Sequence, residues 1–315
     1  MTCLPPTDLE RGRARLYGLV GRLWVDGVVP VRQLVAAIPA LEEAWPDGSE
    51  EEAQADHYAL TGQWCTPYAG FFLHVDRREG AEEAARAQHT WQRIGLPDRP
   101  DVPADHIGRA WTALAWLGGA RVDALEDGQV EVASSIQDLQ RAVLAEHILG
   151  WLAPLSVVLS AVPGRLSGYA IAHRLAVEAA VDHGREVGVV APRGPAARVE
   201  VLSDPATDLA RVAEALAAPA YAGVVWSVAE LQGIARSTEV PHAFGGRRQV
   251  LETMLKAAVD HRRVGQVVEA LTVRLDRAQR LYEDLGEEGL WAAPWLERLA
   301  VTRGELAALA AAAAP

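Results

Sequence analysis

The chain has 315 residues, of which half are hydrophobic and 23% are charged, so its apolar side chains can fill one large core or two smaller ones. The formal net charge of −12 is concentrated in residues 1–220, which hold 30 acidic and 19 basic side chains. This excess disfavours nucleic acid as a partner and suits a cationic one, although acidic surfaces also serve solubility alone.

The two cysteines, Cys3 and Cys65, form neither a disulfide framework nor a CxxC metal clip. The N-terminus lacks the apolar segment of a signal peptide. The longest apolar run, residues 151–163, contains Pro154 and is too short to span a bilayer. We therefore expect a cytoplasmic protein without membrane insertion.

The first part of the chain is predicted to form helix after helix. Thr7 or Asp8 is expected to cap the first helix, whose apolar residues recur at helical spacing. A second helix is expected over residues 30–45, bent or broken near Pro39. Further helices are predicted over residues 80–95, 104–118, 134–152 and 166–184, the second of them starting after Pro103.

Residues 185–205 interrupt the helical pattern, because they are rich in Gly and Pro and contain two short Val clusters. They predict a linker or a long loop, with a short hairpin as the alternative. Helical spacing returns over residues 205–218, 227–237 and 247–285, and the Ala-rich tail is expected to fray. We predict an all-α fold with a helical core over residues 1–185, a loop or linker with a short helix over 186–220, and a C-terminal helical extension over 221–315.

Sequence motifs for catalysis and cofactor binding are missing. The chain has no GxxxxGK[ST] loop, no GxGxxG after a strand and no HExxH pair. Its nine histidines are scattered and never occur four residues apart, which is typical of ordinary core or surface histidines rather than of a metal site. A thiol nucleophile at Cys65 would need a distant histidine that no spacing indicates. We expect no enzyme activity and no cofactor.

Two stretches stand out, residues 64–80 with Pro67, Tyr68 and Phe72, and residues 102–117 with Asp105 and His106 near a predicted helix start. Taken separately, each has an ordinary explanation. Aromatic residues after a proline usually belong to a core, and an aspartate near a helix N-terminus usually caps it. Their order along the chain is more informative than either stretch alone.

In that order the chain resembles the TorD/DmsD/NarJ family of molybdoenzyme maturation chaperones over about residues 10–185. The residues that carry the resemblance are Leu16-Tyr17, Tyr58, Leu60, Pro67-Tyr68, Gly80, Trp91, the run from Pro103 to Ile107, the run from His147 to Trp151, and Pro154. The chain departs from the family pattern at Thr61, where the family has a bulky residue, and at Arg109-Ala110, where it commonly has an acid.

The resemblance implies a TorD-like helical bundle, here with additional C-terminal helices. It implies a protein that binds the twin-arginine leader or the body of an apo-molybdoenzyme subunit and holds it until cofactor insertion, and it allows a homodimer. The peptide-binding residues that it implies are Leu60, Pro67, Tyr68, Phe72, Gly80, Asp105 and His106.

The role of the C-terminal part stays open, because residues 221–315 could lengthen the core, form a dimer surface or clasp the client. Arg247-Arg248 and Arg262-Arg263 are interpreted as a solvated basic face. Two other functions remain as alternatives: a helical assembly or regulatory scaffold that works through these C-terminal helices, and a helical enzyme that uses a metal.

Overall fold

The computed structural model describes residues 5–45, 48–75, 77–162, 164–198, 201, 206–285 and 291–313. Within these ranges the regular elements are helices, and β structure is limited to one isolated antiparallel bridge between Tyr68 and His106. The predicted all-α fold class is confirmed.

The first ten α-helices lie in the part of the chain that was expected to form the core. They are α1 Pro6–Asp26, α2 Arg32–Ala36, α3 Pro39–Ala44, α4 Glu50–Ala59, α5 Ala69–Leu73, α6 Arg77–Arg93, α7 Ile107–Glu126, α8 Val130–Val143, α9 Leu149–Leu159 and α10 Ser167–Glu186. Single π-helical turns extend α4 over Leu60–Trp64 and join α8 to α9 over Leu144–Ile148. Short 3-10 turns occupy Val29–Val31 and Gly164–Leu166.

The remaining helices follow an irregular stretch. They are α11 Leu209–Ala217, α12 Pro219–Ala222, α13 Val228–Ser237, α14 Arg247–Asp260, α15 Val264–Asp284 and α16 Ala293–Ala312. The alternative of a hairpin finds no support in the described residues 187–198, which form no strand. The Ala-rich tail is helical up to Ala312, and Leu306 at its start is 1% exposed and packs in the core, while fraying of its end stays a prediction.

Several helix boundaries differ from the predicted ones for identifiable reasons. Helix α1 begins at Pro6, which suits a first helical position, so Thr7 and Asp8 lie inside its first turn and do not cap it. The predicted break at Pro39 is confirmed between α2 and α3. The predicted helix over 247–285 is two helices, because Arg262 has a φ of 55°, which a right-handed helix excludes.

Helices α1 and α7 pack closely along an interface of small residues. A Cβ atom added to Gly21 would lie 3.0 Å from the carbonyl oxygen of Gly108, and one added to Gly118 would lie 2.9 Å from the Cβ of Ala14. The absent side chains therefore let the two backbones approach each other. Beside them the buried rings of Tyr17 and Trp111 stack with 5.4 Å between their centroids.

One continuous hydrophobic core includes residues from both halves of the chain. Helix α15 contacts α9, and the indole nitrogen of Trp295 donates to the carbonyl oxygen of Gly150 at 3.0 Å. The C-terminal helices therefore share the interior of the first ten. The division at residues 185 and 220 stays a prediction about chain organisation, since the packing is continuous across it.

Among the described helices, the run Val130–Leu159 is long and apolar enough to cross a bilayer by length and composition alone. In the fold, 78% of its most apolar window is buried. Such burial is what the central helix of a soluble protein shows.

The irregular stretch after α10 is anchored on the π-helical turn between α8 and α9. The amide nitrogen of Arg193 donates to the carbonyl oxygen of Ala145, 2.8 Å away, inside the π-helical turn. Three residues later, the amide nitrogen of Ala196 donates to the carbonyl oxygen of Leu73 at 2.7 Å. Between these points the chain passes so close to Gly150 that an added Cβ atom would lie 1.7 Å from the carbonyl oxygen of Arg193.

We predict that Gly150→Ala lowers the free energy of unfolding by about 1–3 kcal/mol, because the new methyl group must displace the Arg193 backbone. Chemical denaturation followed by circular dichroism measures this. Gly304→Ala is the matched control, since Gly304 lies in α16 with nothing within 4 Å of an added Cβ. It should gain about 0.5–1 kcal/mol. Equal stability of the Gly150→Ala protein and the parent would contradict the close approach.

Candidate functional site

Two stretches distant in sequence are joined as a short antiparallel pair. The amide nitrogen of Ile107 donates to the carbonyl oxygen of Pro67 at 2.9 Å, and that of Ala69 donates to the carbonyl oxygen of Asp105 at 3.0 Å. Tyr68 and His106 face each other in this pair. Because the paired residues are extended, α7 begins only at Ile107, which corrects the prediction that Asp105 and His106 lie in its first turn.

Asp105 lies at the partly exposed side of this pair. Its Oδ2 accepts a hydrogen bond from the amide nitrogen of Gly70 at 3.1 Å and so caps the start of the short helix α5. Burial raises the pKa of Asp105 above its ordinary value, and the Gly70 hydrogen bond opposes this shift. Burial, followed by the nearby charge of Asp105, raises the pKa of the partly exposed Tyr68 phenol. The carboxyl group and the phenol are therefore close enough for the charge of one to affect the other, and both side chains are partly exposed.

The side chain of His106 is buried next to the ring of Tyr68, with 5% of its area exposed. It is the N-cap of α7, where its Nδ1 accepts from the amide nitrogen of Gly108 at 3.1 Å. Its ring lies edge-on to that of Tyr68, with 5.3 Å between the centroids. Burial lowers the pKa of His106 to about 3, so the ring is neutral at physiological pH and can keep accepting this bond.

Besides His106, three more of the predicted peptide-binding residues belong to the interior. Leu60 and Phe72 are each 0% exposed, and Phe72 stacks on Trp151 with 5.2 Å between ring centroids. Pro67 is buried as well. In this conformation a bound peptide does not touch these three side chains. Gly80 lies in α6, and its surroundings fall outside the described residues.

A residue from the C-terminal helices also reaches this region. The guanidinium carbon of Arg247 lies 4.1 Å from the centroid of the Phe71 ring, and its Nη2 donates to Thr66 Oγ1 at 3.3 Å. The interpretation of Arg247 as part of a solvated face is therefore wrong, whereas Arg248 is 59% exposed and pairs with Glu252 on its own helix. The signal in the sequence was an arginine pair at a helix N-terminus, where the helix dipole disfavours cations.

The buried carboxylate of Glu83 pairs with side chains from two other stretches of the chain. Glu83 is 2% exposed, and its Oε1 lies 2.6 Å from His74 Nε2. Arg193 donates to both oxygens of Glu83, at 2.8 Å from Nη1 and 2.5 Å from Nη2. This two-pronged pair ties the irregular stretch to α6, and its geometry could not be inferred from sequence spacing.

The described residues give no support to the alternatives based on catalysis or metal binding. Cys65 is 2% exposed and burial raises the pKa of its thiol, with the charge of Arg247 opposing, so the sulfur stays protonated and is a poor nucleophile. Among the described side chains, no group of three or more His, Cys, Asp or Glu is placed to hold a metal ion.

Comparison with known families identifies the region that contains this site. The family model described as nitrate reductase delta subunit matches residues 30–156, which include the paired stretches and helices α2 to α8. This match supports the NarJ/TorD-like chaperone family for residues 30–156. The resemblance inferred from the sequence is thereby confirmed. No curated protein and no solved structure matches the chain significantly.

NarJ/TorD-like proteins are molybdoenzyme maturation chaperones rather than enzymes. The matched residues include every predicted peptide-binding position from Leu60 to His106. Helices α10 to α16 lie beyond the match, together with Arg247. The contact between Arg247 and Phe71 therefore joins the family region to a part of the chain that the family model does not describe.

We predict that His106 makes the protein less stable in mild acid. In the folded protein the pKa of His106 is about 3, which is below the ordinary histidine value. The unfolded chain therefore binds a proton at a higher pH than the folded protein does, and the free energy of unfolding falls as the pH drops below about 6.5. At pH 5 the loss due to His106 is about 2 kcal/mol. The variant His106→Asn keeps a capping side chain without this titration. Its unfolding free energy should therefore fall less between pH 7 and pH 5.

Urea unfolding at the two pH values measures the difference between the variant and the parent. His89→Gln on the exposed side of α6 is the matched control and should follow the parent. An unchanged pH dependence in His106→Asn would contradict the buried neutral cap.

Proposed function

We propose that this protein is a cytoplasmic chaperone that binds the twin-arginine leader of an apo-molybdoenzyme and holds the subunit until its cofactor is inserted. The observation that carries the proposal is the partly exposed Asp105 carboxyl group beside the partly exposed Tyr68 ring, on a backbone pair inside the family region. Binding rather than catalysis is the proposed activity.

The chemistry of this pair suits an arginine side chain. A guanidinium group offers a planar set of donors that matches a carboxylate, and it also stacks on aromatic rings. The raised pKa of Asp105 reflects partial burial of an acid that, among the described residues, accepts hydrogen bonds from backbone amides and pairs with no cation. An arginine brought by the client would supply the missing positive charge and would favour the ionised carboxylate.

The buried predicted residues are proposed to support the binding surface without touching the peptide. Leu60, Pro67 and Phe72 hold the paired stretch in place by packing beneath it, and His106 fixes the start of α7. A rigid surface loses little conformational entropy when a peptide binds. The apolar part of a leader would gain about 25 cal/mol for each Å² of apolar area that it buries on this surface.

We predict that Asp105→Asn weakens binding of a synthetic twin-arginine leader peptide, taken from a molybdoenzyme of the same organism, by about tenfold. The asparagine oxygen can still accept the Gly70 hydrogen bond, so the variant removes charge and keeps the cap. Isothermal titration calorimetry measures the affinity. A lysine pair in place of the peptide's arginine pair should also weaken binding, because an ammonium group lacks the planar donor set.

Asp127→Asn is the matched control for this experiment. Asp127 is exposed and lies at the other end of α7, about 30 Å away by helix rise, so its charge should not affect binding. The proposal fails if the parent does not bind the leader peptide. The assignment of Asp105 fails if Asp105→Asn binds as well as the parent.

We also predict that leader affinity depends on the ionisation of Asp105. Arginine stays protonated throughout, so binding should weaken as the pH falls through the raised pKa of Asp105. The decline should start at a higher pH than the ordinary aspartate value would give, and it should be absent in Asp105→Asn. Titrations at a series of pH values check this, and a parallel decline in both proteins would place the titrating group elsewhere.

A further inference from the structure

Helix α14 begins with an arginine pair that its own stability does not explain. Arg247 and Arg248 are its first two residues, and its first turn contains no acidic side chain. The positive end of a helix dipole disfavours cations at this position. After Gln249 the apolar residues Val250 and Leu251 follow. Two adjacent arginines ahead of an apolar helical segment are also the chemistry of the leader that the site is proposed to bind.

Two of the contacts of Arg247 lie on the stretch that carries Tyr68. Phe71 offers the face of its ring to the guanidinium at 4.1 Å, and Thr66 accepts a hydrogen bond from it at 3.3 Å. Thr66 lies two positions before Tyr68 in the sequence, and Phe71 lies three positions after it. The positive charge of Arg247 also opposes the effect of burial on the thiol of Cys65.

We propose that Phe71 and Thr66 form an arginine subsite and that Arg247 occupies it as an internal stand-in for one arginine of the client leader. This inference rests on the proposed function and deepens it. The leader would place one arginine at Asp105 and Tyr68 and the other on Phe71 and Thr66. Before that second arginine can bind, the side chain of Arg247 must leave.

The packing of α14 on the core rests on residues other than Arg247. Arg247 is partly exposed at the end of its helix, whereas Val250 and Leu251 are each 0% exposed and hold α14 in place. The helix is entered through the irregular residues 241–246, where Gly245 has a φ of 137°. We expect the side chain of Arg247 to vacate the subsite while α14 stays packed on the core through Val250 and Leu251.

Occupancy by Arg247 would lower the apparent affinity of the leader, because only the vacant fraction of the protein is ready to bind both arginines. The range of cation–π energies corresponds to a factor of about two to thirty in affinity. A contact that serves only to fasten α14 to the core would have no such effect. The two roles therefore predict different consequences for removing the Arg247 side chain.

The test titrates the same synthetic leader peptide into the full-length parent and its variants. Arg247→Ala should bind the peptide about two to thirty times more tightly than the parent, because competition for the subsite is gone. Phe71→Leu made in the Arg247→Ala protein keeps an apolar side chain without the ring face and should bind more weakly than Arg247→Ala alone, because no internal arginine competes there. Arg248→Ala is the matched control, since Arg248 points to Glu252 and solvent, and its affinity should equal that of the parent.

A second readout does not depend on any variant. Hydrogen exchange of the parent should become faster over residues 242–249 when the peptide is added at saturation, because Arg247 no longer fastens the start of α14. Unchanged or slower exchange there would count against displacement. It would support a contact that stays in place in the complex.

The outcomes separate this inference from the proposed function. If the parent binds the peptide and Arg247→Ala binds it equally or more weakly, the stand-in role is overturned while leader binding stands. If neither protein binds the peptide, leader binding is overturned and the subsite with it. Tighter binding by Arg247→Ala, with unchanged binding by Arg248→Ala, supports both.

Discussion

Two backbone hydrogen bonds hold the candidate site together, from Ile107 to Pro67 and from Ala69 to Asp105. They keep His106 extended, so the helix starts at Ile107 and His106 becomes its cap. They also bring the Asp105 carboxyl group to the amide of Gly70 at the start of α5. One short pairing thus sets two helix starts and places an acid and a phenol near each other.

The surroundings keep this pairing rigid. The indole nitrogen of Trp91 donates to the carbonyl oxygen of Ala104 at 2.8 Å, immediately before the paired residues. On the other side, Phe72 stacks on Trp151 in α9. The buried Glu83–Arg193 pair holds the irregular stretch against the same region. A surface fixed by so many independent contacts is suited to recognising a flexible peptide, since only the peptide loses much freedom on binding.

The C-terminal helices add contacts to the region that the family model matches. They complete the core through contacts such as Trp295 with Gly150, and they place Arg247 on the ring of Phe71. The family match ends at residue 156, so this arginine is a feature of the longer chain. Its position beside Tyr68 connects the extension to the proposed binding surface, a connection that the first 185 residues alone would not have.

The sequence by itself determined the helical fold, because apolar residues at helical spacing and capping or proline residues act over a few positions. It also indicated the family that the model match over residues 30–156 supports, through the order of the Pro67-Tyr68 and Asp105-His106 stretches. Only the tertiary structure decided which of these side chains reach solvent: Tyr68 and Asp105 do, whereas Leu60 and Phe72 lie in the core. It alone brought Arg247 to Phe71 and Arg193 to Glu83, because contacts between residues far apart in the chain depend on how helices pack and leave no periodic trace in the sequence.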